Sequence, residues 1–372
     1  MTIYRMLVIY YLNEGEKMSV SIPGLGGGGS NAPNAAARCK ARRGKLLDRT
    51  QLRQLIQQSP EQLATSVADK GYRNEIDLYS TRFTGSDLLE MALTHKLSKE
   101  LNEVSGFCQG ELQKQVGIYV NRFSYYNAKV VLRAIRNDIS AEELSHDILP
   151  EENEWNSNWL EIVRNSTSLS EAASAMSSKP WGRAIISLDV DATLANYEDA
   201  LDRHYYKDSI TALKSQSSAN TLLRRFLRME IDHNNIMKLF EGKRQGLSSE
   251  LVEGLLLPNG KIIPSGMLKA VASADENGVL EVLRKDSRFD IVEFEKSVDE
   301  SSKIKSLDPI MMFLNKRAFN VLEKMSYLSP LSALPVVHYL ALIRQEVRDI
   351  RMIVRGLSVG LDKDLIDAHI GA

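Results

Sequence analysis

Six histidines, two cysteines and a run of glycines are the residues of this 372-residue chain that first suggest chemistry. The histidines, His95, His146, His204, His233, His338 and His369, stand singly, and no H-E-x-x-H pair places two of them on one helix face for zinc. Asp202 and His204, beside Tyr205 and Tyr206, come nearest to a cluster, yet a two-residue spacing puts them on different faces of a helix. Cys39 and Cys108 are too far apart in sequence for a disulfide framework or a zinc-ligand pattern, and read as two reduced thiols, packed or at the surface, of a cytosolic protein. Residues 24–29, Gly-Leu-Gly-Gly-Gly-Gly, satisfy G-x-G-x-x-G formally. However, Pro23 precedes them and Ser30-Asn31-Ala32-Pro33 follows, where a dinucleotide site needs a helix to open. Residues 1–30 read instead as a flexible Gly-rich extension, with Met18 an alternative start. The chain has no phosphate-cradling G-x-x-x-x-G-K-[ST] loop and no G-x-S-x-G elbow. The acidic pairs Asp87 with Glu90 and Glu198 with Asp202 sit among basic neighbours at helical spacing and read as surface charge patterning. A non-catalytic chain with no cofactor and no metal is expected.

The elements that must position any binding surface are helical. Beyond residue 34, apolar residues recur at three- and four-residue spacing, and Gly and Pro gather between segments. With 43% hydrophobic and 26% charged residues the composition is globular, and 47 basic against 48 acidic side chains give no footprint for nucleic acid. The apolar run Met6–Leu12 is far short of the roughly 20 residues that span a bilayer, so membrane association is expected to be peripheral.

Three segments repeat. Asn127, Asn235 and Asp349 are each followed by small or apolar residues one and five positions on, then by an aliphatic residue twelve positions on (Ile139, Leu247, Leu361) and another after five more (Leu144, Val252, Ile366). A helix, a turn and the start of a second helix should coincide in all three copies. The polar marks lie 108 and 114 residues apart, and an aromatic residue, Tyr72, Trp181 or Phe289, precedes them by 55, 54 and 60 residues. Modules of about 110 residues are too long for a stacked solenoid repeat, so each is expected to be a small helical bundle with its own core: 31–147, 148–258 and 259–372. Asn34 with Leu46 is a fainter echo of the same twelve-residue step.

In the last copy Val347, Ile350, Ile353 and Val354 fall on one helix face, expected to be core, and Arg348, Arg351 and Arg355 form a stripe on another. Such a stripe is either solvated surface or a rim for acidic partners, since the planar guanidinium fork binds carboxylates through two hydrogen bonds. The middle copy carries Asp232, Asn235 and Lys238 as a mixed polar edge. Polar marks inside a helix either cap and hydrogen-bond within their module or face a central pocket. The candidate partner-binding residues are thus Arg348, Arg351, Arg355, Glu346, Asp232, Asn235, Lys238 and Arg133.

The stretch Ala341–Gly356 with Gly360-Leu361 and Ile366 resembles the C-terminal signature of the C subunit of A-type ATP synthases, a relative of the d subunit of V-ATPases. Asn34–Arg38 with Lys45-Leu46-Leu47 is similar to that family's opening helix, although Ala32-Pro33 stand where an aromatic is usual. Glu230–Ile236 is similar to its middle signature. The resemblance implies an all-α funnel of three related bundles around a pseudo-threefold axis. It also implies a single copy per complex at the cytoplasmic face of the cell membrane, a socket between the membrane rotor ring of K/c subunits and a shaft of the D and F subunits. On that reading Arg351→Glu weakens ring or shaft binding without unfolding the bundle. A general helical adaptor outside any rotary motor, or an enzyme with a site between modules, are the competing classes.

Overall fold

The computed structural model describes residues 30–144, 148, 154–189, 191–214 and 217–371. The Gly-rich run, Met18 and His146 lie outside these. Among the described residues the chain is all-α, with no strand. In order the helices are α1 (Ala32–Arg43), α2 (Arg49–Ile56), α3 (Pro60–Val67), α4 (Arg73–Tyr79), α5 (Gly85–Phe107), α6 (Glu111–Val120), α7 (Arg122–Arg136) and α8 (Ala141–Leu144). There follow α9 (Glu154–Asn165), α10 (Leu169–Ala175), α11 (Gly182–Ile186), α12 (Leu194–Ala212), α13 (Ser218–Arg244) and α14 (Ser249–Leu255). The last are α15 (Leu268–Ser273), α16 (Glu276–Arg284), α17 (Ile291–Ile304), α18 (Asp308–Leu328), α19 (Leu334–Ser358) and α20 (Lys363–His369).

The helices start where short polar residues take up backbone N–H groups that the first turn leaves unpaired. Asp48 and Gln51 form a reciprocal capping box on α2, and Ser168, Ser248, Asp275 and Asp290 each accept from an N–H in the first turn of the following helix. Proline opens α3, α18 and α19 in the first turn, where no N–H is needed.

The chain divides into two compact units. One runs up to Tyr205 and takes in Pro330–Gly371, and the other is Tyr206–Ser329. In the first, α19 packs lengthwise on α5 and on α1, and one hydrophobic cluster joins Leu52, Leu55, Tyr72 and Leu89 to Val347, Ile350, Ile353, Val354 and Ile366. The apolar face expected of the last copy is therefore core. In the second unit Ile236, Leu239 and Phe240 of α13 share a core with Val279, Phe289, Phe294 and Leu314.

Packing thus pairs each long repeat helix with the aromatic that follows it, not the one before. Phe289 joins the cluster of α13. The ring of Trp181 packs, tilted, with its centroid 4.3 Å from that of Tyr125 of α7. After α19 no further aromatic of the set remains, and Tyr72 from the start of the chain takes the place.

Candidate functional site

The three repeat helices end alike, as the twelve-residue spacing predicts. Asp138, Gly246 and Gly360 have positive φ, of 54°, 67° and 73°. The next N–H reaches back into the final turn in each: Ile139 to Ala134 at 2.9 Å, Leu247 to Gly242 at 2.9 Å, and Leu361 to Gly356 at 2.8 Å. This is the Schellman arrangement, which turns the chain sharply and pairs carbonyls that the helix end leaves free. The following helices α8, α14 and α20 then return with Leu144, Val252 and Ile366 buried. A Cβ on Gly242 would lie 2.8 Å from Val252 Cγ2, and one on Gly356 2.7 Å from Ile366 Cδ1, so the two glycines set how closely these helices approach. The Asn34 echo lacks this geometry: α1 ends at Gly44 with φ of −65°, and Asn34 is exposed.

The polar marks of the last two copies are buried clamps. Asn235 donates from Nδ2 to Leu257 O at 2.8 Å and accepts from Leu257 N at 2.7 Å, imitating a backbone partner. Asp232, one turn earlier and fully buried, accepts from the N–H groups of Lys261, Ile262 and Ile263 at 2.9, 2.9 and 3.0 Å. Burial pushes its carboxyl above the usual carboxylate range, and the three amides pull against that shift. Lys238 donates to Leu255 O at 2.8 Å. All three middle-copy candidates therefore hold the last residue of α14 or the segment after it, and none of them forms an open polar edge.

In the last copy Asp349 accepts from Gly371 N at 3.0 Å, 22 residues on, the same separation as Asn235 and Leu257. Glu346, the counterpart of Asp232, is buried and accepts from Tyr72 Oη at 2.6 Å and from Leu47 N. Burial raises the carboxyls of both Glu346 and Asp349.

The arginine stripe is partly internal. Arg351 donates to Glu90 Oε2 at 2.5 Å and to Thr94 Oγ1 at 2.9 Å, and Arg355 donates to Glu90 Oε1 at 2.7 Å. Glu90, expected from its spacing to be surface charge, is buried, while Asp87 is exposed. Arg351→Glu would set two carboxylates together at a buried position, so the expectation that it spares the bundle is corrected. Arg348 lies 3.4 Å from Asp349 and is 46% exposed. In the first copy Arg133 holds Glu198 through two hydrogen bonds, at 2.5 and 3.0 Å, and Lys129 pairs with Asp202 at 2.7 Å. Of the candidates, Arg133, Arg348 and Arg355 keep side chains that are about half exposed, and the other five are tied into their own fold.

His204, His233 and both cysteines take packing roles. His204 meets Tyr125 Oη at 2.8 Å, and buried His233 accepts from Arg317 at 2.7 Å. Cys39 and Cys108 are buried free thiols, pushed up to about 12 by desolvation, which makes them poor nucleophiles. Among the described residues no helix is long and apolar enough to cross a membrane.

Comparison with known proteins places these features in a family context. Residues 35–369 match the model of the ATP synthase (C/AC39) subunit family. The C subunit of the A-type ATP synthase of Haloferax volcanii is 27% identical over 92% of this chain and 98% of its own length. That of Haloquadratum walsbyi is 26% identical over 91% and 97%, and that of Methanosarcina acetivorans 24% over 91% and 92%.

Proposed function

The chain belongs to the ATP synthase (C/AC39) subunit family, and from that premise we propose that it is the non-catalytic central-stalk socket of an A-type ATP synthase. In this reading it sits as a single copy at the cytoplasmic face of the membrane. It couples a rotor ring of K/c subunits to a shaft of the D and F subunits, so that ion flow through the membrane drives ATP synthesis. In this reading three related helical bundles form a funnel with pseudo-threefold symmetry, each built on one repeat helix and not confined to the spans 31–147, 148–258 and 259–372, because the described cores join residues across those bounds. The observation that carries the reading is the family match over nearly the whole chain, together with relatives matched over nearly their whole length.

The local architecture supports a transmission role. A part that passes torque must resist deformation, and close-packed helical interiors compress little. Each of the three helix–turn–helix units is fastened at its turn by the cap, and the last two are fastened again beyond the second helix by the buried clamps. Arg133, Arg348 and Arg355 are the candidates left with enough exposure to meet acidic groups on the ring or shaft. Isolated rim pairs contribute only about 0–1 kcal/mol each. A broad surface must therefore supply the affinity, with arginines fixing its register.

Co-purification tests the reading. Tagged chain recovered from gently solubilised membranes should bring the ring, the D and F subunits and the catalytic head, identified by mass spectrometry. Recovery of soluble partners alone, from membranes whose motor is intact, would favour a general helical adaptor.

A further inference from the structure

Two repeat helices of the first unit, α7 and α19, share a pattern of basic residues counted from the polar mark. On α7, Arg133 and Lys129 are met at 2.5 and 2.7 Å by Glu198 and Asp202, two carboxylates one turn apart on α12. Arg355 and Arg351 take the matching positions on α19, six and two residues after the mark, and Glu90 of α5 meets both, at 2.7 and 2.5 Å. In each copy, then, carboxylates on a packed neighbouring helix answer the basic pair.

Towards the other end of the helices the copies part. Five residues before the mark stand Arg122 on α7 and Arg344 on α19. Arg122 is used within the fold: its guanidinium lies 3.8 Å from the centre of the Tyr119 ring and donates to Tyr205 Oη at 3.1 Å. Arg344 is exposed, and among the described residues it has no hydrogen bond and no ion pair. Its guanidinium sits 6.0 Å from the ring centre of half-buried Phe123, on α7. Arg348, one turn along the same face, is 46% exposed with Asp349 at 3.4 Å, and Tyr126, one turn along α7 from Phe123, is also 46% exposed. The middle copy carries Glu230 at this position, so the repeat itself does not require an arginine there.

We propose that Arg344 and Arg348, with Phe123 and Tyr126 as an aromatic wall, are the docking surface for an acidic helix of the D/F shaft, whose carboxylates one turn apart take the part that Glu198 and Asp202 take on α7. This rests on the stalk-socket reading and deepens it. The charge is complementary, and two guanidinium forks at helical spacing match carboxylates at helical spacing, which a fluid lipid surface does not present. Arginine and tyrosine are also the residues that most often anchor protein interfaces. A ring of identical subunits would suit a surface repeated in every copy. This one occurs in a single copy, because Arg122 is consumed and Glu230 has the opposite charge, and so it suits a single shaft.

Calorimetric titration of the full chain with the purified D/F complex, at low and at moderate salt, tests this. Wild type should bind, more weakly as salt rises. Arg344→Glu should weaken binding by about tenfold or more, and Arg344→Lys by about threefold, because an ammonium lacks the fork. Arg344→Ala combined with Arg348→Ala should also flatten the salt dependence. Melting temperatures of the Arg344 variants should match wild type, since no internal hydrogen bond is lost. Lys303→Glu, at an exposed lysine of α17, should leave the affinity unchanged. Unchanged affinity in Arg344→Glu, or an equal loss in Lys303→Glu, overturns the docking surface and leaves the socket reading standing. So does a loss confined to binding of the purified K/c ring or of phosphatidylglycerol vesicles, measured in parallel. A wild type that binds no D/F complex overturns the socket reading and the surface together.

Discussion

Replacing Asn235 with alanine removes one side chain and strands two buried backbone groups. Its amide exchanges hydrogen bonds of 2.8 and 2.7 Å with the carbonyl and N–H of Leu257, a residue with no exposed surface. Each buried group left without a partner costs about 1–3 kcal/mol, giving about 2–6 kcal/mol for the pair. Alanine returns roughly 0.5 kcal/mol through its better helix propensity. A net loss of about 3 kcal/mol is expected, a large share of the 5–15 kcal/mol typical of a whole domain. Urea titration followed by hydrogen exchange on peptides spanning residues 255–263 reads it directly, because Asp232 and Lys238 fasten the same segment and should lose their grip in the same step. Asn235→Asp keeps the shape but points a carboxylate oxygen at the Leu257 carbonyl, so it should be nearly as damaging at neutral pH and recover in mild acid, where a protonated oxygen can donate. A loss under 1 kcal/mol with protection of 255–263 unchanged would refute the clamp.

Other outcomes follow from the same geometry. Gly246→Ala, at φ of 67°, should cost about 1–2 kcal/mol by thermal melting, and Asp138→Gly, at the matching position with φ of 54°, should gain up to about 1 kcal/mol. Gly242→Ala and Gly356→Ala should each lose about 1–3 kcal/mol, because the β-branched Val252 and Ile366 cannot readily turn away from contacts of 2.8 Å at Val252 Cγ2 and of 2.7 and 2.9 Å at Ile366 Cδ1 and Cγ1. Arg351→Ala should cost about 2 kcal/mol by denaturant titration, less than the 3–5 kcal/mol of a fully buried broken pair, since Arg355 still bonds Glu90 and Arg351 is 22% exposed. His233 is held neutral by burial, and by Arg317, at about 3. Stability should therefore be lost as pH falls from about 6.5 towards 3, by up to about 1.4 kcal/mol per unit, and His233→Gln should flatten that slope in melts recorded against pH.

The helix, turn and second helix of each copy could be read from sequence because they rest on local chemistry. A left-handed residue and an aliphatic residue twelve positions after a polar mark are short-range signals, and Asp138, Gly246 and Gly360 carry them openly. The core face Val347, Ile350, Ile353 and Val354 followed from helical periodicity for the same reason. The fate of the polar marks could not be read this way. Whether Asn235 clamps Leu257 or faces a pocket depends on a return path 22 residues long, and no periodicity encodes it. Glu90 looked like surface beside Asp87, because its partners Arg351 and Arg355 lie 261 and 265 residues away. Pairing each aromatic with the repeat helix before it was available in principle. Asn127 to Trp181 and Asn235 to Phe289 both span 54 residues, a more regular step than the upstream distances. The third pair, Asp349 with Tyr72, closes only when the two ends of the chain meet.

Membranes depleted of this chain, and then supplied with it again, test the coupling role most directly. ATP hydrolysis by the catalytic head should persist without it, while ATP synthesis driven by an imposed ion gradient should disappear and return when the purified chain is added. Gradient-driven synthesis undiminished by depletion would contradict a socket between ring and shaft.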